Sequence, residues 1–252
     1  MTTIVRRNWA WRMRVAAPLL LAMTMAGLAP NRAANLPFAP GEEFVYRGST
    51  RLGRLGTGTL AVDGPEEIAG RQAYVLRFDF RGRFGLAGVE DHTRSWLDPS
   101  EMAVYRFTKR ERSPVSSRTQ DVRMFPETRR WEAAGNGGGE MPTSAPLDEL
   151  SFIYFLRTLP LRDGDSYALD RHYEAGRNPV VVRVLGRDTL QVPAGRFSVV
   201  EVEMRVRDTR YRERGQGVVR LHFTDDARRI PVRIESSVPV AGRMVLSLES
   251  GA

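Results

Sequence analysis

The sequence contains no cysteine and only one lysine, Lys109, among its 252 residues. Without cysteine there is no disulfide, no thiolate metal ligand, no cysteine nucleophile and no lipid-modified N-terminal cysteine. A domain of this composition must be held together by its hydrophobic core. The three histidines, His92, His172 and His222, do not have the spacing of a metal site. We therefore predict neither a metal nor a cofactor.

The basic charge is concentrated at the N-terminus. The formal net charge is +8, and subtracting the five arginines of residues 1–34, which include no acidic residue, leaves +3 for residues 35–252. Along the rest of the chain, basic and acidic residues alternate instead of forming a block. This distribution argues against a nucleic-acid partner.

Residues 1–34 have the features of an export signal. Four arginines precede an apolar stretch at 15–29 (VAAPLLLAMTMAGLA). A membrane span needs about 20 residues, so this shorter stretch suits a signal peptide. Cleavage could follow Ala26, Ala29 or Ala34, and an uncleaved N-terminal anchor is the alternative. We expect a periplasmic or secreted protein with no transmembrane span in its mature form.

Alternation of apolar and polar residues predicts antiparallel strands over most of residues 35–252. In YVLRFDF, the side chains of Tyr74, Leu76, Phe78 and Phe80 fall on one face. The same period of two recurs in VVEVEMRVRD, GVVRLHFT, RIPVRIES and RMVLSLE. One apolar and one polar face is typical of an antiparallel sheet. We predict a single domain built on one large, highly curved antiparallel sheet or open barrel of about a dozen strands.

One apolar helix interrupts the strands. It follows a stretch at 133–146 (AAGNGGGEMPTSAP) that predicts a flexible, glycine-rich loop. The helix is predicted over 146–159, with Ser144 or Ala145 as its cap and Pro146 in its first turn. Because apolar residues cover most of its circumference, it must be buried in or over the concave face of the sheet.

Four segments occur in an order that resembles a known family. They are FAPGEEFVYRG, LDELSFIYFLRTLPLRDGD, VPAGRFSVVEVEM and HFTDDARRIPVRIESSVPVAGRMVLSLES. Over about residues 38–250 they are similar to the exported bacterial family catalogued as domain of unknown function 3108. The resemblance implies a secreted or periplasmic β-rich domain, and it supplies no catalytic residues.

The junction of sheet and helix predicts an apolar groove. Such a groove could take a lipid, an acyl chain or the hydrophobic segment of an envelope protein. The residues expected to line it are large and apolar: Tyr74, Phe78, Phe80, Leu150, Tyr154, Phe155, Leu221 and Phe223. The structural alternative is that these side chains pack on one another as a solid core.

Three polar residues, Asp148, Ser151 and Arg157, lie on the otherwise apolar helix. One interpretation is a buried polar site. The other is structural, with Asp148 near the helix N-terminus, Ser151 bonded to the backbone and Arg157 paired with the sheet. Asp148 and Arg157 are nine residues apart and so lie on opposite sides of the helix. We favour the structural interpretation.

The second functional hypothesis is a periplasmic hydrolase whose histidine and carboxylate residues come from separate strands. Its residues would be His92, His222, Glu90 and Asp225, because a histidine beside a carboxylate can act as a general base. The sequence has neither a Gly-x-Ser-x-Gly elbow nor a His-Glu-x-x-His motif. A non-enzymatic binding role is therefore the preferred hypothesis.

Overall fold

Strands account for most of the chain. The computed structural model describes residues 36–251 apart from 115, 136, 208–215 and 239–241, so the predicted export signal lies outside the described residues. The described residues include one α-helix, α1, which spans Glu149–Arg157. No helix of the described part is long and apolar enough to cross a membrane. The strands are β1 Glu43–Thr50, β2 Gly53–Ile68, β3 Arg71–Phe84, β4 Ala87–Asp98, β5 Ala103–Ser113, β6 Ser116–Phe125, β7 Arg130–Ala133, β8 Gly137–Glu140, β9 Ser166–Leu169, β10 Val180–Val192, β11 Gly195–Arg207, β12 Gln216–Thr224, β13 Pro231–Val238 and β14 Gly242–Gly251.

Within the described residues, all fourteen strands belong to one sheet, in the order β8-β7-β6-β5-β4-β3-β2-β1-β14-β13-β12-β11-β10-β9. Sequential strands are neighbours within each half of the chain, and the halves join where β1 pairs antiparallel with β14. The edges are β8 and β9, so the sheet is not closed. The prediction of one large antiparallel sheet is confirmed, with fourteen strands instead of about a dozen.

The period of two sets the two faces of this sheet. Leu76 and Phe80 of β3 are buried, as are Leu221 and Phe223 of β12. Their neighbours in sequence, such as Arg77, lie on the opposite face. We call the face that packs against α1 the inner face and the opposite one the outer face.

The start of α1 differs from the prediction. Ser144 and Ala145 lie outside the helix, and Pro146 precedes it. The N-cap is Asp148, whose carboxylate accepts hydrogen bonds from two first-turn amides at 2.8 and 3.0 Å. The carboxylate satisfies two donors that would otherwise be unpaired. This stabilises the start of the helix more than a proline in the first turn would.

The predicted loop at 133–146 contains a short strand. β8 pairs antiparallel with β7 and forms one edge of the sheet. Its glycines leave space for an aromatic ring, since a Cβ on Gly139 would lie 3.1 Å from Nε1 of Trp131. Glycine thus leaves space for a neighbouring side chain at this edge. Composition alone does not distinguish such a glycine-rich edge strand from a loop.

α1 is anchored to the inner face by apolar packing and by long-range hydrogen bonds. Leu150, Phe152 and Leu156 are buried. The hydroxyl of Tyr154 donates to the Ala61 carbonyl of β2 at 3.2 Å. Each fully buried side chain of this size contributes about 1.5–3 kcal/mol, so the helix forms part of the hydrophobic core.

Candidate functional site

The eight residues predicted to line a groove all lie in the hydrophobic core or against it. Five of them are buried: Phe80, Leu150, Tyr154, Leu221 and Phe223. Tyr74, Phe78 and Phe155 are partly buried. Only these three keep surface that a ligand could contact without displacing other side chains.

Beside α1, the inner face carries a cluster of charged residues. Lys109 of β5 faces inward, since it pairs in register with the buried Thr93 of β4. Its Nζ lies 2.5 Å from Oε1 of Glu149 and 3.1 Å from Oδ2 of Asp91. Glu149 nevertheless keeps 37% of its side-chain surface exposed, in a helix whose other side chains are largely buried. Solvent therefore reaches the inner face at this point.

We call this region the inner recess and define it by Phe78, Asp91, Lys109, Glu149 and Ile153. Ile153 follows Glu149 by one helical turn, on the same side of α1. Phe78 pairs in register with Thr93, next to Asp91 along the inner face of the sheet. Both apolar side chains are only partly buried. The recess therefore combines partly exposed hydrophobic surface with three charged groups.

The charges of Glu149 and Lys109 are fixed over the physiological range. Burial raises the pKa of Glu149, but the Lys109 ammonium and its hydrogen bond outweigh this effect and hold the pKa at about 2. Burial also disfavours the charged form of Lys109, yet the carboxylates of Glu149 and Asp91 hold its pKa above the ordinary value. Lys109 thus stays protonated and cannot act as a neutral amine nucleophile.

Asp148 occupies the buried end of α1. Its Oδ1 accepts hydrogen bonds from two helix amides and from the Ser95 hydroxyl at 2.9 Å, whereas its Oδ2 is buried without a hydrogen-bond partner. Ser151 completes the capping box, because its Oγ accepts from the Asp148 amide at 2.8 Å. Burial raises the pKa of Asp148 to about 6 against the opposing effect of these hydrogen bonds.

Arg157 lies at the other end of α1 and is bound on all sides by protein. Its guanidinium makes two hydrogen bonds to the carboxylate of Glu42, at 2.5 and 2.8 Å. It also donates to the carbonyls of Pro37 and Arg228, at 2.7 and 2.9 Å. These contacts connect the helix to the segment before β1 and to the β12–β13 turn. The N–H groups of Arg157 are therefore directed at protein atoms and not at a ligand. Arg157 and Asp148 do not form one site.

The four residues of the hydrolase hypothesis do not converge. His92 and Glu90 lie on the outer face of β4, whereas His222 lies on the outer face of β12, six positions away in the strand order. Asp225 follows β12 in a turn, where its carboxylate accepts hydrogen bonds from Arg187 and Arg229 at 2.9 and 3.2 Å. Side chains that leave the outer face of one sheet from distant strands cannot form one site.

The two histidines of the hydrolase hypothesis lie in different environments. His92 Nδ1 lies 2.7 Å from Oδ1 of Asp79 on β3, a carboxylate that the sequence analysis did not select. His222 is buried, its Nδ1 has no hydrogen-bond partner, and desolvation lowers its pKa. Among the described residues, no three histidine, aspartate or glutamate side chains are placed to hold a metal ion.

The outer face also carries a shallow polar depression over β2, β3 and β4. It has a volume of about 450 Å³ and is lined by Thr57, Thr59, Asp79, Arg81, His92 and Arg94. We call it the outer depression. Burial raises the pKa of Asp79, but hydrogen bonds from His92 and Arg94 outweigh this effect and hold the pKa below its ordinary value.

A family model described as a protein of unknown function, DUF3108, matches residues 45–249. The chain belongs to this family. The match runs from within β1 to within β14 and so includes nearly the whole sheet, with α1, the inner recess and the outer depression. No curated protein matches the DUF3108 chain.

One of three matched solved structures resembles the DUF3108 protein in fold. A β-barrel-like protein of the domain of unknown function DUF1849 from Brucella abortus has a TM-score of 0.57 at 10% identity, covering 84% of this chain and 96% of that chain. A candidate exported protein with a YmcC-like fold from Bacteroides fragilis has a TM-score of 0.35 at 14% identity, covering 86% and 98% of the two chains. A candidate lipoprotein from Parabacteroides distasonis has a TM-score of 0.32 at 13% identity, covering 86% and 97%. Only the first score is high enough to support a common fold.

The most informative polar residues of the DUF3108 protein were missed in the sequence. Asp91, Lys109 and Glu149 come from β4, β5 and α1, and no local spacing connects them. Lys109 did carry one signal, because it is the only lysine in a chain rich in arginine. Asp79 occupies a polar position in YVLRFDF, but nothing in the sequence indicates that it faces His92.

Proposed function

We propose that this DUF3108 protein is an exported, non-enzymatic binding protein that holds a hydrophobic, lipid-like ligand in the inner recess, between the sheet and α1. The observation that carries the proposal is the 37% exposure of the Glu149 side chain on a helix whose residues are mostly buried. A core filled completely by side chains would leave no such access on its inner side.

The chemistry of the surrounding surface favours an amphipathic ligand. Inward-facing hydrophobic side chains near the strand ends, including Phe84, Val219 and Met244, are also only partly buried. An acyl chain could remove this surface from water, and about 25 cal/mol would be gained per Å² of apolar surface covered. The charged groups of the recess would then lie near a polar end of the ligand. The N-terminal signal sequence and the family resemblance support export.

The absence of an assembled catalytic set among the described residues supports a non-enzymatic role. The pair formed by His92 and Asp79 is the best basis for the hydrolase alternative. However, the Asp79 carboxylate also accepts hydrogen bonds from Arg77 and Arg94, so it belongs to a network of ion pairs on the outer face. We therefore do not extend the proposal to catalysis.

The direct test is native mass spectrometry, with lipid extraction, of the protein purified from its own periplasm. We expect a bound lipid of defined mass, and we expect the delipidated protein to bind a fluorescent long-chain fatty acid. Ile153→Gln should weaken this binding about tenfold, because a polar amide replaces apolar contact surface. Leu190→Gln, a similar change of a partly buried residue on β10, should leave the affinity within about twofold.

Thermal unfolding of both variants must first show that they are folded. A protein that carries no lipid and does not bind the fatty acid would overturn the proposal. Equal weakening by the two substitutions would place the binding surface outside the inner recess.

A further inference from the structure

We propose that the outer depression binds the phosphate group of an anionic ligand. The site is separate from the inner recess, because the residues that define it belong to the opposite face of the sheet. The inference is therefore independent of the proposed lipid-like ligand.

Arg81 supplies the principal donor. It is exposed on β3 and lines the depression. Glu90 lies opposite it in register on β4, yet neither residue makes an ion pair within the described part of the chain. An arginine that leaves a neighbouring carboxylate unpaired retains its full set of N–H donors for an incoming anion.

Asp79 is the one carboxylate that lines the depression, and its charge is compensated. It receives two hydrogen bonds from Arg94, both at 3.1 Å, one from Arg77 at 3.2 Å and a contact of 2.7 Å from His92. These bonds fix the orientation of His92 through Nδ1, which leaves Nε2 as the ring nitrogen without that contact. Asp79 thus positions two lining residues without presenting an unbalanced negative charge.

Further donors complete the surroundings of the depression. The hydroxyls of Thr57 and Thr59 lie on β2, at the side opposite β4. Arg110 of β5 pairs in register with His92, is exposed and makes no ion pair among the described residues. It lines a second depression of about 310 Å³ that shares His92 and Arg94 with the first. The donors therefore extend across four strands.

The number and arrangement of these donors fit a phosphate better than a carboxylate. A phosphate group has at least three acceptor oxygens in a tetrahedral arrangement, whereas a carboxylate has two in one plane. Guanidinium groups from two strands, an imidazole and two hydroxyls can approach a tetrahedral group from several sides. The phosphate could belong to a soluble phosphorylated molecule or to a lipid headgroup.

The experiment compares the folded full-length protein with two single variants, using two probes. Arg81→Gln removes the principal donor. Arg83→Gln is its matched control, since Arg83 is also exposed on β3, two residues further along, and does not line the depression. The probes are inorganic phosphate, followed by calorimetry, and neutral vesicles with and without phosphatidic acid, followed by cosedimentation at fixed ionic strength.

We expect binding of at least one probe, weakened about tenfold by Arg81→Gln and changed less than twofold by Arg83→Gln, because one charge-assisted hydrogen-bonding group is lost. Binding of inorganic phosphate would support a soluble ligand, and binding of phosphatidic acid vesicles alone would support a lipid headgroup. Failure to bind either probe would overturn the proposal. Equal weakening by both substitutions would also overturn it, because only the general positive charge of the surface would then matter.

Discussion

At the scale of single residues, Asp148 and Arg157, the buried polar residues at the two ends of α1, have different hydrogen-bonding environments. Glu42 and two backbone carbonyls surround the guanidinium of Arg157. Asp148 has hydrogen bonds to one oxygen only, and burial therefore raises its pKa from the ordinary 3.8 to about 6. At a pH between these two pKa values, Asp148 is protonated in the folded protein and ionised in the unfolded chain.

This difference predicts a specific pH dependence of stability. The contribution of Asp148 to the free energy of unfolding is most favourable below pH 3.8. It falls by about 3 kcal/mol in total as the pH rises to about 6. Asp148→Asn removes the titration and should remove this decline. Urea unfolding of the wild-type protein and the variant between pH 3 and 8 measures the difference in their unfolding free energies. The contributions of the other carboxylates cancel in this difference. A difference in unfolding free energy that does not change with pH would contradict the assigned pKa.

At the scale of elements, α1 is a structural part of the core. Its apolar side chains fill the inner face, and its two ends are bonded to distant strands and turns. Glu149 and Ile153 on one side of the helix, and Phe155 on another, remain partly accessible. A helix bound in this way cannot move as a lid without exposing a large apolar surface.

Two leucine substitutions test this role of the helix. Leu150 is only 4% exposed, so Leu150→Ala should lower the free energy of unfolding by about 2–5 kcal/mol through lost burial and a residual cavity. Leu86, in the β3–β4 connection, is 94% exposed, and Leu86→Ala should change stability by less than about 0.5 kcal/mol. Denaturant unfolding measures both. A loss below about 0.5 kcal/mol for Leu150→Ala would show that α1 is peripheral to the fold.

At the scale of the whole molecule, a pair of glycines lets two long strands of the sheet approach closely. Gly56 of β2 and Gly82 of β3 are partners in register. A Cβ on Gly56 would overlap the carbonyl oxygen of Arg81, and one on Gly82 would overlap that of Leu55. Because the obstacle is backbone, no side-chain rotation could relieve it. The two strands can approach in this way only where both residues are glycine.

Gly82→Ala should therefore destabilise the protein by about 3 kcal/mol or more, through displacement of β2 from β3. Gly88→Ala is the matched control, because no atom lies within 4 Å of the position of its Cβ. That substitution should be neutral or stabilise the fold by up to about 1 kcal/mol. Thermal unfolding and circular dichroism measure both. Equal stability of the two variants would show that the close approach of β2 and β3 does not constrain the fold.

Strand direction and the inner and outer faces could be predicted well, as the segment YVLRFDF illustrates. Its alternation identifies Leu76 and Phe80 as inward-facing, and both are buried. The start of α1 could not be predicted as well. Asp148 is held by a hydrogen bond from Ser95, 53 residues earlier in the chain. The capping box of Asp148 and Ser151 is a local pattern, but the support from Ser95 is not, and Pro146 gave a misleading start.

The sequence by itself determined the class of fold and the burial of α1. Both depend on periodicity, which is a local property that the backbone geometry of strands and helices converts directly into faces. Only the tertiary structure decided which charged groups meet. His92 reaches Asp79 through strand register, and Lys109 reaches Glu149, 40 residues away, through the packing of α1 on the sheet. Electrostatic interactions depend on distance in space, and distance along the chain does not specify it.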